Sequence, residues 1–184
     1  ALGGALVLAP GTGVTAADLA PLEWGDADAA LTAAGALAAG RVAGPHDWRT
    51  AAVVGAGPIA EAATAQLAKA AATLAEPRFD AACDVLFVAG KAGVLDHPTA
   101  ATVQARTVVP LTPVPVTARA LAVLTKADRV VIPDFLATAA PLLAAYDAER
   151  GDPVQRIHTA VTDLAHPGTG LWLAAAVRAE EHLA

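Results

Sequence analysis

The sequence predicts an α/β fold, a parallel sheet with helices on its faces, and three observations carry that prediction. Apolar runs of strand length alternate with helix-forming stretches from residue 50 to residue 137. Several of these runs are continuous rather than alternating, as strands buried on both faces require. The first of them, in TAAVVGAGPIA at residues 50–60, runs through GxGxxA directly into a helix-forming stretch. Strand, glycine turn and helix in that order form the dinucleotide-binding fingerprint, so the expected architecture is Rossmann-like.

Taken in order, residues 5–8 predict a short strand, followed by a Gly-rich turn at residues 11–13 and a helix capped by Thr15 with Asp18 at its third position. The alanine-rich stretch at residues 26–43 has high helix propensity and little polar face, which predicts a mostly buried helix lying flat on the sheet. The fingerprint strand at residues 51–54 and its helix at about 58–71 follow. After a break at Pro77, CDVLFVAG at residues 83–90 reads as a second strand of parallel type, and ARTVVPL and RVVIPDFL as two more. Helices are expected between them at residues 98–103 and 118–127. From Thr138 the pattern is helical to the end, interrupted at residues 151–153 and 166–170. The chain is thus expected to form one domain: residues 1–45 supply an N-terminal strand and packing helices, residues 46–137 the sheet core, and residues 138–184 C-terminal helices.

Composition excludes several classes of function. Hydrophobic residues make up 55% of the 184, yet much of that is alanine broken by proline, and no stretch has the look of a membrane helix. A net charge of −6, with 12 Lys and Arg and no basic cluster, gives no electrostatic footprint for nucleic acid. The single cysteine, Cys83, excludes an internal disulfide, and with no signal-like segment a reducing, cytoplasmic location is expected. Cys83 sits at the start of an apolar run, where an inert thiol is expected. There is no serine, and the five histidines at 46, 97, 158, 166 and 182 are not spaced with one another or with cysteine as metal ligands. Neither a serine nucleophile nor a metal site is predicted.

The candidate cofactor site is Gly55, Ala56, Gly57, Pro58 and Ile59, joined by Glu76, Gly90 and Lys91. Gly55 permits the tight turn, Gly57 lets backbone approach a pyrophosphate, and Ala60 lets the helix close on the strand. The free N–H groups of the helix start suit an anion. Glu76 is the acid at the distance expected for a ribose ligand, although AATLA before it makes a poor strand. Gly90 and Lys91 end a strand on the edge where open α/β sheets bind ligands.

CDVLFVAGKAGVL, VQARTVVPLTP and ADRVVIPDFLATAAPLLAAYD resemble the cofactor domain of the glutamate/leucine/phenylalanine/valine dehydrogenase family, with the leucine and valine branch nearest. The tail from residue 148, the front segment ALVLAPGTGVTAADLAPL and the helix LTAAGALAAG resemble that branch as well. The resemblance implies an NAD-dependent fold from enzymes that oxidatively deaminate amino acids, with Gly55, Gly57, Ala60, Pro133 and Asp134 retained. It also implies losses. A family aspartate falls on Gly11, an asparagine on Thr138, and two more within PLTPVP at residues 110–115. The glycine-rich lysine motif and substrate domain are missing, and the acidic-ended second strand with its helix is expected to be deleted, a strand–helix unit fewer than the family's sheet.

Without a lysine base and carboxylate there is no proton shuttle for amino-acid deamination, so no residue of this chain is expected to be catalytic. The losses predict weak or no NAD binding and no metal. The expected function is that of a non-catalytic, dehydrogenase-like subunit, structural or regulatory, paired in a hetero-oligomer with another enzyme chain. The alternative is the cofactor-binding half of a split NAD-dependent amino-acid dehydrogenase, for a branched-chain or related substrate.

Overall fold

The computed structural model describes residues 26–70, 72–146, 148–165 and 170–183. The strand expected at residues 5–8, the helix from Thr15 and the residue at position 11 lie outside these. Five strands form one all-parallel sheet: β1 (Thr50–Val54), β2 (Thr73–Leu74), β3 (Val85–Val88), β4 (Thr107–Pro110) and β5 (Val130–Val131), in the order β2-β1-β3-β4-β5. Strands β3 and β4 are buried at every residue, which is why their sequences are apolar without alternation.

Sequence neighbours on each strand serve opposite cores. Ala51, Val53, Val85, Phe87, Val109 and Ile132 face one side, while Ala52, Leu86, Val88, Val108 and Val131 face the other. The first face is covered by α1 (Asp26–Ala43), α2 (Pro58–Lys69) and α7 (Pro153–Leu164), with Leu171 of α8 (Leu171–Leu183) at its margin. The second face is covered by α3 (His97–Ala100) and α4 (Ala118–Lys126), with Ala100, Ala120 and Leu124 buried. The helices change face because parallel crossovers are right-handed: the chain moves from β1 outward to β2, then returns past β1 to β3 and continues the other way. That reversal creates a switch point between the carboxyl ends of β1 and β3.

Alanine content makes α1 a thin helix that lies close on the sheet. A Cβ on Gly40 would stand 3.3 Å from Phe87 Cζ and from Val109, and one on Gly35 would stand 2.7 Å from Ile157 of α7. Small residues here are a condition of close packing, since interiors are filled to crystal-like density. Trp48, just before β1, tilts against Phe87 at 6.4 Å and carries the Arg41 guanidinium 5.9 Å over its ring.

Three expectations change. The second strand is shortened rather than deleted: β2 pairs in parallel with β1 at Thr50↔Thr73 and Ala51↔Leu74, and the Ala75 N–H extends the ladder to the Ala51 carbonyl at 2.8 Å. Both residues of β2 are exposed, so apolar patterning, the signal for a buried strand, is absent from it. The helix after it is missing, and residues 75–84 lead to β3 directly. RVVIPDFL contributes only two strand residues, because Pro133 lacks an N–H to continue the ladder and instead caps α5 (Asp134–Ala137). The helix expected at 98–103 is the single turn of α3, capped by Asp96, whose carboxylate accepts from the Thr99 N–H at 3.1 Å. The helix expected at 118–127 is α4, capped by Thr117, and the C-terminal run divides into α6 (Ala140–Tyr146), a 3-10 turn at Ala148–Arg150, α7 and α8.

The amino edge of the sheet is fastened by one carboxylate. Asp84 Oδ2 accepts from the Thr50 hydroxyl at 2.7 Å and from the backbone N–H groups of Thr50 and Arg49 at 3.0 and 3.1 Å. In return the Asp84 N–H donates to Thr50 Oγ1 at 3.0 Å. The Thr50 hydroxyl, followed by the two N–H groups, holds the Asp84 carboxyl below its usual range.

Candidate functional site

The glycine turn sits at the switch point. Gly55, the residue after β1, has φ 120° and lies against β3: a Cβ there would stand 2.1 Å from the Ala89 carbonyl oxygen. Only glycine fits this turn, for conformation and for space. Gly57, the N-cap of α2, has φ 106° but the opposite surroundings, with nothing within 4 Å of where a Cβ would be. What favours glycine here is the positive φ rather than crowding. The residue leaves open space immediately in front of a 12-residue helix.

Among the described residues, no side chain occupies the donors at the start of α2. No side chain caps it, Pro58 stands at its first position, and its first backbone bond runs from Glu61 N to Gly57 O at 3.0 Å. The N–H groups of Ile59 and Ala60 thus precede the hydrogen-bonded ladder. Ile59 contributes only backbone to such a site, since its side chain is buried in the core beside Ala60, Ala63 and Leu67. Ala56 is exposed at the tip of the turn.

Gly90 and Lys91 follow β3 across the crevice, and Lys91 is exposed. The Gly90 backbone is engaged twice by Thr112, whose hydroxyl accepts from Gly90 N at 3.1 Å and donates to Gly90 O at 2.8 Å. Glu76 leaves the sheet two residues beyond Leu74, on the same edge as the glycine turn and on the adjacent strand. It is exposed and pairs with Arg78 at 3.8 Å. The structure therefore sets the turns after β1 and β3, which carry Gly55, Ala56, Gly57, Pro58, Gly90 and Lys91, beside one another at the carboxyl edge of the sheet, with Glu76 on the β2 side.

Farther along that edge the loop after β4 is closed on itself. Val114 has φ 51°, a left-handed conformation costly for a β-branched residue, and its N–H donates to Asp134 Oδ2 at 2.7 Å. Asp134 is buried and belongs to the first turn of α5. Thr138 spends its hydroxyl within the same helix, on the Asp134 carbonyl at 2.8 Å. Sequence reasoning missed the Thr112 and Asp134 tethers, which join residues 22 and 20 positions apart and leave no periodic trace.

No three His, Cys, Asp or Glu side chains gather at metal-binding spacing among the described residues, and no helix there is long and apolar enough to cross a membrane. Cys83 is half-buried just before β3, and burial pushes its thiol up, away from the reactive thiolate.

Sheet order, face-switching helices and the glycine turn at the switch point define a Rossmann-type α/β fold of the kind amino-acid dehydrogenases carry. The solved structures on which the chain superposes include L-tryptophan dehydrogenase from Nostoc punctiforme (TM-score 0.67, 18% identity, 83% of this chain and 59% of that one). They also include the hetero-hexameric glutamate dehydrogenase from Thermus thermophilus in its Leu-bound form (0.65, 22%, 88% and 52%) and the glutamate dehydrogenase from Peptoniphilus asaccharolyticus (0.69, 16%, 84% and 51%). At these identities the likeness is one of fold, and the chain spans between about half and three-fifths of those chains. No family model and no curated protein matches the sequence.

Proposed function

We propose that this chain is the cofactor-holding half of an amino-acid-dehydrogenase-type protein, and that the groups for proton transfer come from elsewhere. The observation that supports this most is the open start of α2: Gly57 has a φ that favours glycine and, among the described residues, nothing stands within 4 Å of where its Cβ would be. A glycine facing open space at a helix start suits a ligand that needs the backbone to approach closely. NAD fits this cradle. The N–H groups of the α2 start would take its pyrophosphate, Glu76 the adenosine ribose hydroxyls, and the Gly90–Lys91 turn would line the crevice toward the reactive ring. When bound, NAD supplies a hydride acceptor. The chain's own residues bind and orient it; the loops facing the crevice after β3 and β4 carry Lys91 but no carboxylate free of a structural tether.

The persistence of β2 favours this reading over complete loss of the cofactor site, since it keeps Glu76 on the binding edge. A second reading, a non-catalytic partner subunit, is favoured by the β4 loop. There Asp134 and Thr112 are committed to Val114 and Gly90, which fixes the loop without leaving a polar group for substrate. Both readings require another chain or domain. Exposed Phe135, Leu142, Leu173 and Val177 supply apolar surface for such a contact, and the Thermus thermophilus neighbour is itself hetero-hexameric.

Calorimetric titration with NAD and NADP separates the two. Micromolar binding of either supports the cofactor half, and Gly57→Ala then weakens it at least tenfold. Silence to millimolar concentration overturns it in favour of the non-catalytic subunit. Co-purification from the native host identifies the chain that completes the site.

A further inference from the structure

We infer that Asp80 is a selectivity residue, setting the adenosine end of the cradle for a ribose with free hydroxyls and against one bearing a 2′-phosphate. This rests on the cofactor reading above and concerns residues that reading does not assign. Beyond β2, residues 75–82 border a cavity of about 310 Å³ lined by Ala75, Glu76, Arg78, Asp80, Ala81 and Ala82. Alanines form its apolar wall, and three charged groups its rim.

The loop is held in place at several points. Arg78 N donates to Glu76 O at 2.8 Å, Ala81 N to Arg78 O at 3.2 Å, and Gln104 Nε2 to Asp80 O at 2.9 Å. The charged groups are therefore presented on a defined frame beside the strand that carries Glu76.

Within the frame the guanidinium is already taken. Arg78 Nε and Nη2 donate to the two carboxylate oxygens of Asp80 at 2.9 and 2.6 Å, the parallel two-bond geometry that a phosphate would otherwise receive. Its Nη1 lies 3.8 Å from Glu76 Oε2. One cation between two carboxylates leaves a net charge of −1 on the rim. A ribose diol donates hydrogen bonds to Glu76 and suits that balance. A 2′-phosphate brings about two further negative charges at neutral pH and meets an arginine that is engaged. Without Asp80 the same Arg78 would be a phosphate fork in the right place. The Arg78 hydrogen bonds hold the Asp80 carboxyl below its usual range, so the lock persists through neutral pH.

The test is the ratio of NAD to NADP affinity, measured calorimetrically on the full chain. The wild type is expected to bind NAD more tightly than NADP. Asp80→Asn should tighten NADP about fivefold, the scale of one exposed charge pair, while NAD changes less than twofold. Adding Arg78→Ala to that variant should abolish the gain, which a merely structural role for Asp80 would not produce. Asp80→Ser repeats the test should the amide variant melt early. An unchanged ratio in both variants, with NAD binding intact in the wild type, overturns the selectivity role and leaves the cofactor reading standing. A wild type that already prefers NADP also overturns it. Binding of neither nucleotide overturns the cofactor reading and this inference together.

Discussion

The two halves of the carboxyl edge use positive-φ backbone in opposite ways. At the β1 side, Gly57 holds a positive φ that glycine takes up without strain, and no described residue stands within 4 Å of where its Cβ would be. At the β4 side, Val114 holds a positive φ against the penalty of a branched side chain, and the buried Asp134 carboxylate on its N–H explains why it stays there. One position faces open space; the strain at the other is held within the chain. A sheet edge can thus leave one half open while the other becomes self-contained scaffold.

Substitution at Gly55 and Gly57 breaks this contrast most sharply. Gly55→Ala drives a Cβ into the Ala89 carbonyl of the central strand and should cost roughly 3–4 kcal/mol of stability. Gly57→Ala meets no described atom and should cost less, about 1–2 kcal/mol, from the backbone conformation alone. Chemical denaturation of the two variants measures the difference. Equal costs would mean that the space before α2 is not open in solution.

The scaffold half is tested by Asp134→Ala, which strips the Val114 N–H of its acceptor and releases the loop. A loss of roughly 2–3 kcal/mol is expected, read as a lower melting temperature and faster hydrogen exchange at residues 111–117. If this variant loses exchange protection at the α2 start as well, the two halves are coupled and the contrast between them fails.

A smaller, pH-dependent effect is expected from the opposite edge. The folded chain holds the Asp84 carboxyl below the value of about 3.9 that it has when unfolded. Its stabilisation is therefore complete above that pH and disappears as the pH falls through the folded value. Asp84→Asn should lower the melting temperature at pH 7 by several degrees and reduce the difference from wild type below pH 4. Melting curves from pH 7 to pH 2 measure it, and a constant difference would remove Asp84 as the fastener of the β1–β3 start.

Much of the architecture was legible because its signals are local. Continuous apolar runs reveal β3 and β4, since a strand buried on both faces tolerates little else, and the alanine-rich run reveals α1. The fingerprint reveals the turn and the residues around it. What escaped was β2, whose two exposed residues carry no pattern and form a strand only because β1 offers its free edge. The engagement of Arg78 by Asp80 was equally silent, since R-x-D spacing says nothing of geometry until the loop is folded.

The sequence by itself determined the parallel α/β class, the glycine turn between strand and helix, and the lack of a serine or of a second cysteine among its 184 residues, because these depend on residue type and short-range order. Tertiary structure decided which positive-φ glycine faces space and which faces backbone, that Glu76 stands beyond β2 at the carboxyl edge, and that Asp134 and Thr112 serve the fold. Those outcomes depend on contacts between segments tens of residues apart, where strand order and packing, rather than local preference, set what each side chain meets.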